Sequence, residues 1–445
     1  MSPALSFTGD TAMRPRGGRD IRALIRGVTL AIVLGGAVAI GVGYAPVPRL
    51  LLVIAAVGAL VVLVVFVSTA TSAVLLGLAL PWDQDITGGH LGLHIAASDV
   101  LLVLIGLRAI AEALLGRRVW ALASIRPARL PLLQYAWALA ALLVFHLGFT
   151  SALKSMQRLE LFALPVFVGA YLALRGKHLL VLRGYVVSAA VLSVVWPVLN
   201  AHGLTGQLDK NPTAGFIATA ILLLLVVREL RPIIWCMPVL LVGLGLTASR
   251  GAVVSLGVGI VVIVLMVSTT SGRAVALSRI AALLLIALVA FQFLPSNVTS
   301  RLTNFTAGEK TRSSYAIEIR LQLAQGAEQV IAAHPWLGVG VGNYVAGSAA
   351  QGDQVTDPHD VILLEAAEGG YLFAASFIAM ILGLWLVLWR LREVRLALAA
   401  AAVLLATFAH GLVDVYWVRG TPVLGFLLVG MVCGLAAQRR NEEAT

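Results

Sequence analysis

The chain has 445 residues, of which 60% are apolar and only 12% are charged, and its formal net charge is +11 at pH 7. A soluble globular domain carries about 25% charged residues, so this composition excludes an ordinary soluble protein and indicates a polytopic membrane protein. The positive charge does not indicate a nucleic-acid partner, because the basic residues lie in short segments between apolar runs. Cys236 and Cys433 lie far apart in apolar runs, without the spacing of a metal site.

Apolar runs of roughly 18 or more residues predict helices that cross a bilayer. We predict an all-α polytopic membrane protein with about 12–14 transmembrane helices and one large external loop that itself contains helices. In chain order the predicted spans are 27–44, 50–68, the shorter run 71–80, 94–115, 131–150, 156–174, 179–199, 211–228, 231–248, 250–270, 274–294, 366–389, 395–415 and 421–437.

The basic residues orient these predicted spans. With the amino terminus inside, cytoplasmic segments hold about twice as many lysines and arginines as external ones, as the positive-inside rule expects. Both termini are then cytoplasmic. The predicted organisation is a basic cytoplasmic tail (1–26), an N-terminal transmembrane bundle (27–294), an extracytoplasmic catalytic loop (295–365), C-terminal transmembrane helices (366–437) and a cytoplasmic tail (438–445).

Basic residues on the outer side have no topological reason to be there, so Lys154, Lys210, Arg250 and Arg320 are candidates for holding an anion near the outer leaflet. Lys210 and Asn211 open a predicted span, where a simple capped helix start is an equally good interpretation. Arg250 is flanked by small residues that let a ligand approach, and a planar guanidinium suits phosphate recognition. The alternative for Arg250 is an arginine that snorkels to the lipid headgroups.

The one long polar interruption, residues 297–370, separates two apolar regions and is predicted to be the catalytic or binding element. A helix is predicted from about residue 313 to just before Pro335. The glycines of 338–342 predict a close-packed turn that brings Asn343 and Tyr344 to the site. No strand precedes them, which argues against a dinucleotide-binding loop.

The sequence Asp357-Pro358-His359-Asp360 predicts the start of a helix, with Asp357 as its cap and Pro358 at its first position. His359 would then lie in the first turn, where the positive helix end disfavours a charged imidazole. A neutral imidazole there could accept a proton from a hydroxyl group, and the same helix end could help to bind phosphate. The alternative is a solvated loop histidine.

Two pairs of polar residues lie near predicted span ends. Glu365 and Glu368 begin the span that follows His359, and a helix-entry role explains them equally well. His410 and Asp414 are four residues apart on one helix face at an outer end, where a structural hydrogen bond is an equally good explanation.

The pattern resembles the O-antigen ligase and O-antigen polymerase family of membrane glycosyltransferases. The resemblance covers roughly residues 200–415, about half of the chain, in the order that the family shows. The matching motifs are Asp209-Lys210-Asn211, Thr247-Ala248-Ser249-Arg250-Gly251-Ala252, the segment from Arg320 to Tyr344, His359, Glu368-Gly369-Gly370 and His410-Gly411-Leu412-Val413-Asp414.

The resemblance implies a GT-C-like fold and transfer of a glycan from a polyprenyl (undecaprenyl) diphosphate to an acceptor hydroxyl, without a cofactor or metal ion. It implies the cytoplasmic membrane of a bacterium, with the site on the periplasmic side, and a glycan or lipid-linked acceptor. By resemblance Arg250 and Arg320 hold the donor diphosphate, and His359 is the essential loop histidine. Many members have asparagine after that histidine, where this chain has Asp360.

We therefore predict His359, Arg250 and Arg320 as catalytic residues. The predicted substrate-binding residues are Lys154, Lys210, Asn211, Tyr344, Asp360, Glu368, His410 and Asp414. The sequence does not choose between a ligase and a polymerase, which share the donor chemistry. The alternative from another class is a transporter or flippase for a lipid-linked oligosaccharide. Such a protein often shows internal repeats with paired broken helices, and no obvious repeat is present.

Overall fold

The structure is a computed structural model. It describes residues 58, 61–62, 66, 68–82, 95–115, 121–202, 209–267, 312–350, 357–414, 417 and 421–443. Within these ranges all regular secondary structure is helical. The predicted spans 27–44 and 274–294, and most of 50–68, lie outside the described residues.

Fourteen α-helices are labelled here in chain order within the described ranges, and one 3₁₀ helix (Arg228–Ile233) lies between α7 and α8. They are α1 (Thr69–Ala79), α2 (Ala97–Leu114), α3 (Ala121–Ser124), α4 (Arg126–Phe145), α5 (Phe149–Leu174), α6 (His178–Ala201), α7 (Lys210–Val226), α8 (Cys236–Thr247), α9 (Arg250–Met266), α10 (Arg312–Ala333), α11 (Tyr344–Ala350), α12 (Val361–Arg390), α13 (Leu396–Gly411) and α14 (Val423–Glu443).

Five of these helices, α4, α5, α6, α12 and α14, are long and apolar enough to cross a membrane. Five shorter apolar helices, α1, α7, α8, α9 and α13, accompany them. The prediction of an all-α polytopic membrane protein is therefore confirmed. The predicted total of about 12–14 spans includes segments outside the described residues and stays a prediction.

The N-terminal and C-terminal helices pack into one bundle. Helix α5 crosses α14 closely because two glycines lie at the crossing: a Cβ added to Gly430 would lie 1.9 Å from the Val166 carbonyl oxygen, and one added to Gly169 would lie 2.0 Å from that of Leu427. Between membrane helices such close backbone approach supplies the dispersion attraction that holds them together. A side chain at either glycine would separate the two helices.

The break between α4 and α5 differs from the sequence prediction, which ended one span at residue 150 and began the next at 156. The chain leaves the helix at His146, and Gly148 has an extended backbone, so that α5 already begins at Phe149. Lys154, which the predicted spans left in an external loop, is therefore a helical residue of α5, as is Arg158.

Helix α12 begins at Val361, which is before the predicted span 366–389 and after the helix start predicted at Pro358, and it is broken at Gly370 (φ 77°, ψ 177°). We call residues 361–369 the half-helix. A residue other than glycine rarely adopts this φ. The break frees backbone groups on both of its sides, and the segment 335–343, here called the glycine loop, binds them.

Candidate functional site

The start of α12 is capped by Asp360 and not by Asp357 as predicted. The Asp360 carboxylate oxygen Oδ1 accepts hydrogen bonds from the amides of Ile362 (2.7 Å) and Leu363 (3.1 Å), as an N-cap side chain does. Asn and Asp are almost equally good N-caps. This gives a physical reason why Asp360 can stand where many members of the resembled family have asparagine.

His359 lies just before the helix rather than in its first turn, which corrects the prediction. Its amide donates to Asp357 Oδ1 (2.7 Å), and its φ is +55°, a left-handed conformation that is uncommon for residues other than glycine. Such backbone strain persists only where the surroundings enforce it, and it concentrates at functional sites. The turn directs the imidazole towards Asp414.

The carboxylate of Asp414 joins His359 to Arg320. His359 Nδ1 lies 3.3 Å from Asp414 Oδ1, and Arg320 Nη2 donates to Asp414 Oδ2 at 2.9 Å. The Asp414 side chain is only 2% exposed, whereas those of His359 and Arg320 are 30% and 38% exposed. A buried carboxylate thus holds two partly exposed functional groups side by side.

This arrangement fixes the tautomer of His359. If Nδ1 carries the proton and donates to Asp414, Nε2 is left as the acceptor, which is the form that a general base needs. Arg320 Nη2 binds Asp414, but the Arg320 side chain is 38% exposed, so part of the guanidinium is open to solvent. The pair can therefore accept a proton and bind an anion.

The acidic groups around His359 differ in their electrostatics. Burial by itself would raise the pKa of Asp414, but the hydrogen bond from His359 and the charge of Arg320 hold that pKa below its ordinary value, so Asp414 stays charged. Burial raises the pKa of Asp357 and of Asp360 above the ordinary value. The hydrogen bonds that these carboxylates accept from backbone amides partly offset this rise. Of these three carboxyl groups, Asp414 is thus the one whose surroundings favour the charged form.

Arg250 begins α9, directly after a tight turn. Ala248 has a left-handed backbone (φ 49°), and Ser249 caps the helix by accepting from the Ala252 amide. Next to Arg250, a Cβ added to Gly251 would lie 2.8 Å from the ring of His410, which is fully buried one turn before Asp414. The turn that holds Arg250 therefore packs against the helix end that leads to Asp414.

The other predicted residues lie elsewhere. Lys210 and Asn211 are the first residues of α7, with Lys210 exposed. Lys154 lies on α5, where its ammonium donates to Gln157 and its stem covers Gly342. Tyr344 is buried among residues of α10 and the half-helix. None of the contacts described for these four residues reaches His359.

Glu368 belongs to a second charged cluster that the sequence analysis missed. Arg158 Nη1 donates to Glu365 Oε2 (2.6 Å), and its other terminal nitrogen Nη2 binds Glu368. Tyr135 also donates to Glu365 (3.1 Å). We call Arg158, Glu365 and Glu368 the clamp. Two features of the sequence could have indicated this cluster. Arg158 is a basic residue of the outer side to which no role was assigned, and Glu365 and Glu368 are three residues apart.

Comparison with known families supports the resemblance that the motifs suggested. Residues 235–378 match a family model described as O-antigen ligase. The matched segment runs from the turn before α8 into α12 and contains Arg250, Arg320 and His359, whereas Asp414 follows it. A search of curated proteins finds no match.

Proposed function

We propose that this chain, of which residues 235–378 match a family model described as O-antigen ligase, is a membrane glycosyltransferase. The family implies a lipid-linked glycan and an acceptor as its partners. The donor is a polyprenyl diphosphate-linked glycan, and the acceptor is a hydroxyl group of a glycan or of a lipid-linked glycan. The reaction takes place at the outer face of the cytoplasmic membrane.

The observation that carries this proposal is the position of Asp414 between His359 and Arg320. Glycosyl transfer needs a base for the acceptor hydroxyl and a cation for the departing diphosphate at neighbouring positions. The Asp414 carboxylate holds both groups in place, since it orients the imidazole with one oxygen and the guanidinium with the other. A transporter needs to bind the diphosphate but has no use for an oriented base.

The proposed step is a single displacement. The acceptor oxygen gives its proton to His359 Nε2 while it forms a bond to the anomeric carbon. The bond between that carbon and the diphosphate oxygen breaks, and its electron pair leaves with the polyprenyl diphosphate. Attack opposite to the leaving group inverts the anomeric configuration, so NMR coupling constants that show retention would refute this step.

Arg320 and Arg250 stabilise the negative charge that develops on the leaving diphosphate. A guanidinium binds two phosphate oxygens in one plane and keeps its charge at any physiological pH. Arg250 has the further advantage of the first position of α9, where helix amides favour an anion. Fixed cations of this kind lower the barrier without reorganising during the reaction.

The test is a transfer assay on purified protein with a polyprenyl diphosphate oligosaccharide and a panel of acceptors. We expect polyprenyl diphosphate to be released only when an acceptor is present. The rate of its release should fall about 100-fold or more in His359→Ala and in Arg250→Ala. A second lipid-linked glycan as the productive acceptor would indicate a polymerase, and another glycan-bearing lipid would indicate a ligase.

Matched controls are available on the chain. His334→Ala removes an exposed histidine from the segment after α10, and Arg228→Ala removes an exposed arginine from the 3₁₀ helix. Both should transfer glycan at the wild-type rate. Donor binding without release, unchanged in His359→Ala, would overturn the proposal in favour of a transporter.

A further inference from the structure

The clamp connects three segments that are far apart in sequence. Arg158 lies on α5, and the two glutamates lie on the half-helix 361–369. The second oxygen of Glu368, Oε1, accepts from the amide of Gly342 in the glycine loop (2.9 Å). Glu368 therefore binds α5 with one oxygen and the glycine loop with the other.

The glycine loop is also bound to the broken backbone of α12. The amides of Val339 and Gly340 donate to the carbonyls of Ala367 (3.0 Å) and Glu368 (2.8 Å), and the amide of Tyr371 donates to Pro335 (2.9 Å). These are the groups that the break at Gly370 leaves without helical partners. The approach is close, because a Cβ added to Gly338 would lie 2.3 Å from the Glu368 carbonyl carbon.

One face of α5 holds this assembly. Ser151 Oγ accepts from the Asn343 side chain (3.1 Å), the Lys154 stem lies over Gly342, and Arg158 binds both glutamates. These three residues follow the spacing i, i+3, i+7, which places them on the same side of a helix. Of the contacts described for these three residues, those of Arg158 reach the half-helix, directly before which His359 lies.

We infer that Arg158 is a positioning residue, which fixes the glycine loop and the half-helix against α5 and so sets the place of His359. The inference rests on the proposed function, because it assigns Arg158 to the geometry of that reaction. The side chain of Arg158 is only 14% exposed, and its two carboxylates are nearly inaccessible. It is therefore placed to act through the half-helix and not by contact with substrate.

The geometry requires arginine rather than any cation. A guanidinium presents two terminal nitrogens in a fixed plane and can bind two carboxylates at once, whereas a lysine ammonium is a single point charge. In Arg158→Lys one glutamate loses its contact with the cation, and the loop contact through Glu368 weakens. The matched control is Arg175→Lys, because Arg175 binds Glu112 at the opposite end of the same helix.

The test combines hydrogen exchange with kinetics in detergent or nanodiscs. In Arg158→Lys we expect the amides of 339–342 and 362–363 to exchange on the order of tenfold faster. We expect kcat to fall roughly 10- to 100-fold while the KM for the donor changes less than about threefold, since the half-helix moves but the diphosphate-binding arginines remain. Arg175→Lys should change neither quantity.

A second pair of variants tests the clamp from its carboxylate side. Glu368 uses one oxygen for Arg158 and the other for the amide of Gly342, so Glu368→Gln places an NH₂ group, which cannot accept, against one of these two donors. We expect Glu368→Gln to behave like Arg158→Lys, and Glu368→Met, which has no acceptor, to have the larger effect. An increase in exchange at 339–342 and 362–363 that exceeds the increase in the rest of the protein distinguishes the clamp from a contribution to global stability alone.

Three results would overturn the inference: unchanged exchange in Arg158→Lys, faster exchange with unchanged kcat, or a loss of activity that only follows the folded fraction. The exchange measurement needs no donor or acceptor. If wild-type protein transfers no glycan, the proposed function fails, and exchange at 339–342 and 362–363 still decides whether Arg158 holds the loop and the half-helix.

Discussion

Two regions of this protein use the same residue types for different ends. Around Asp414 one buried carboxylate supports two partly exposed groups, His359 and Arg320. In the clamp the order is reversed, because an arginine that is only 14% exposed is enclosed by two buried carboxylates. The first arrangement presents a base and a cation outward, and the second satisfies its charges internally.

The two regions contain the same residue types. They differ in how exposed these groups are and in the ratio of acidic to basic groups, and these differences separate a chemical site from a structural one. A buried ion pair mainly repays its own desolvation and holds its segments in register. A carboxylate that is shared between two partly exposed partners orients them for a third molecule. Substitutions in the two regions should therefore have different consequences.

The largest effect is expected from replacing a carboxylate by an amide in each region. Asp414→Asn should lower the transfer rate by about 10²- to 10⁴-fold, because asparagine cannot hold the His359 tautomer or balance Arg320. Glu365→Gln should lower it by less than about tenfold, since Glu368 still neutralises Arg158. Initial rates at saturating donor measure both, and equal losses would erase the distinction between the two regions.

The break in α12 should be the next most sensitive feature. Gly370→Ala places a Cβ 2.3 Å from the backbone of Trp336 and forces alanine to a φ of 77°, so we expect a loss of about 2–5 kcal/mol in unfolding free energy. Gly257→Ala on α9 meets no atom within 4 Å and should gain up to about 1 kcal/mol. Denaturant midpoints in detergent compare them, and a Gly370→Ala protein as stable as wild type would contradict the described break.

A smaller effect is expected at the cap. Asp360→Ala should lose about 1 kcal/mol of stability because the amides of Ile362 and Leu363 lose their acceptor. Asp360→Asn should keep both the stability and the transfer rate. A transfer rate that falls in Asp360→Asn without any loss of stability would instead assign this carboxylate to substrate.

The smallest expected effect is a dependence of stability on pH. Because the pKa of Asp414 in the folded protein lies below the ordinary value of 3.8, its contribution is complete above that value and is lost as the pH falls through the folded pKa. The effect is modest because His359 and Arg320 are partly exposed to screening solvent. Between about pH 5 and pH 2, the unfolding free energy of Asp414→Asn should therefore fall less steeply with decreasing pH than that of the wild type. Identical slopes in the two proteins would argue against the ion pair.

Much of the site could be predicted because its residues are conspicuous in an apolar chain. His359, Arg320 and Asp414 were each chosen from the sequence, and the structure brings these three together. The cap was assigned to Asp357 because Asp-Pro is a typical helix start, but Asp357 accepts from the His359 amide, whereas the amides of Ile362 and Leu363 in the first turn donate to Asp360.

The sequence by itself determined the all-α membrane architecture, because the transfer of an apolar run into a bilayer depends only on that run. Which charged groups meet was decided by the tertiary structure. His359 pairs with Asp414 across 55 residues, and Arg158 reaches Glu365 across 207. Helical periodicity identifies one face of a helix but not the helix that packs against that face. The packing of α5, α12 and α13 therefore decided that His359 meets Asp414 and that Arg158 meets the two glutamates.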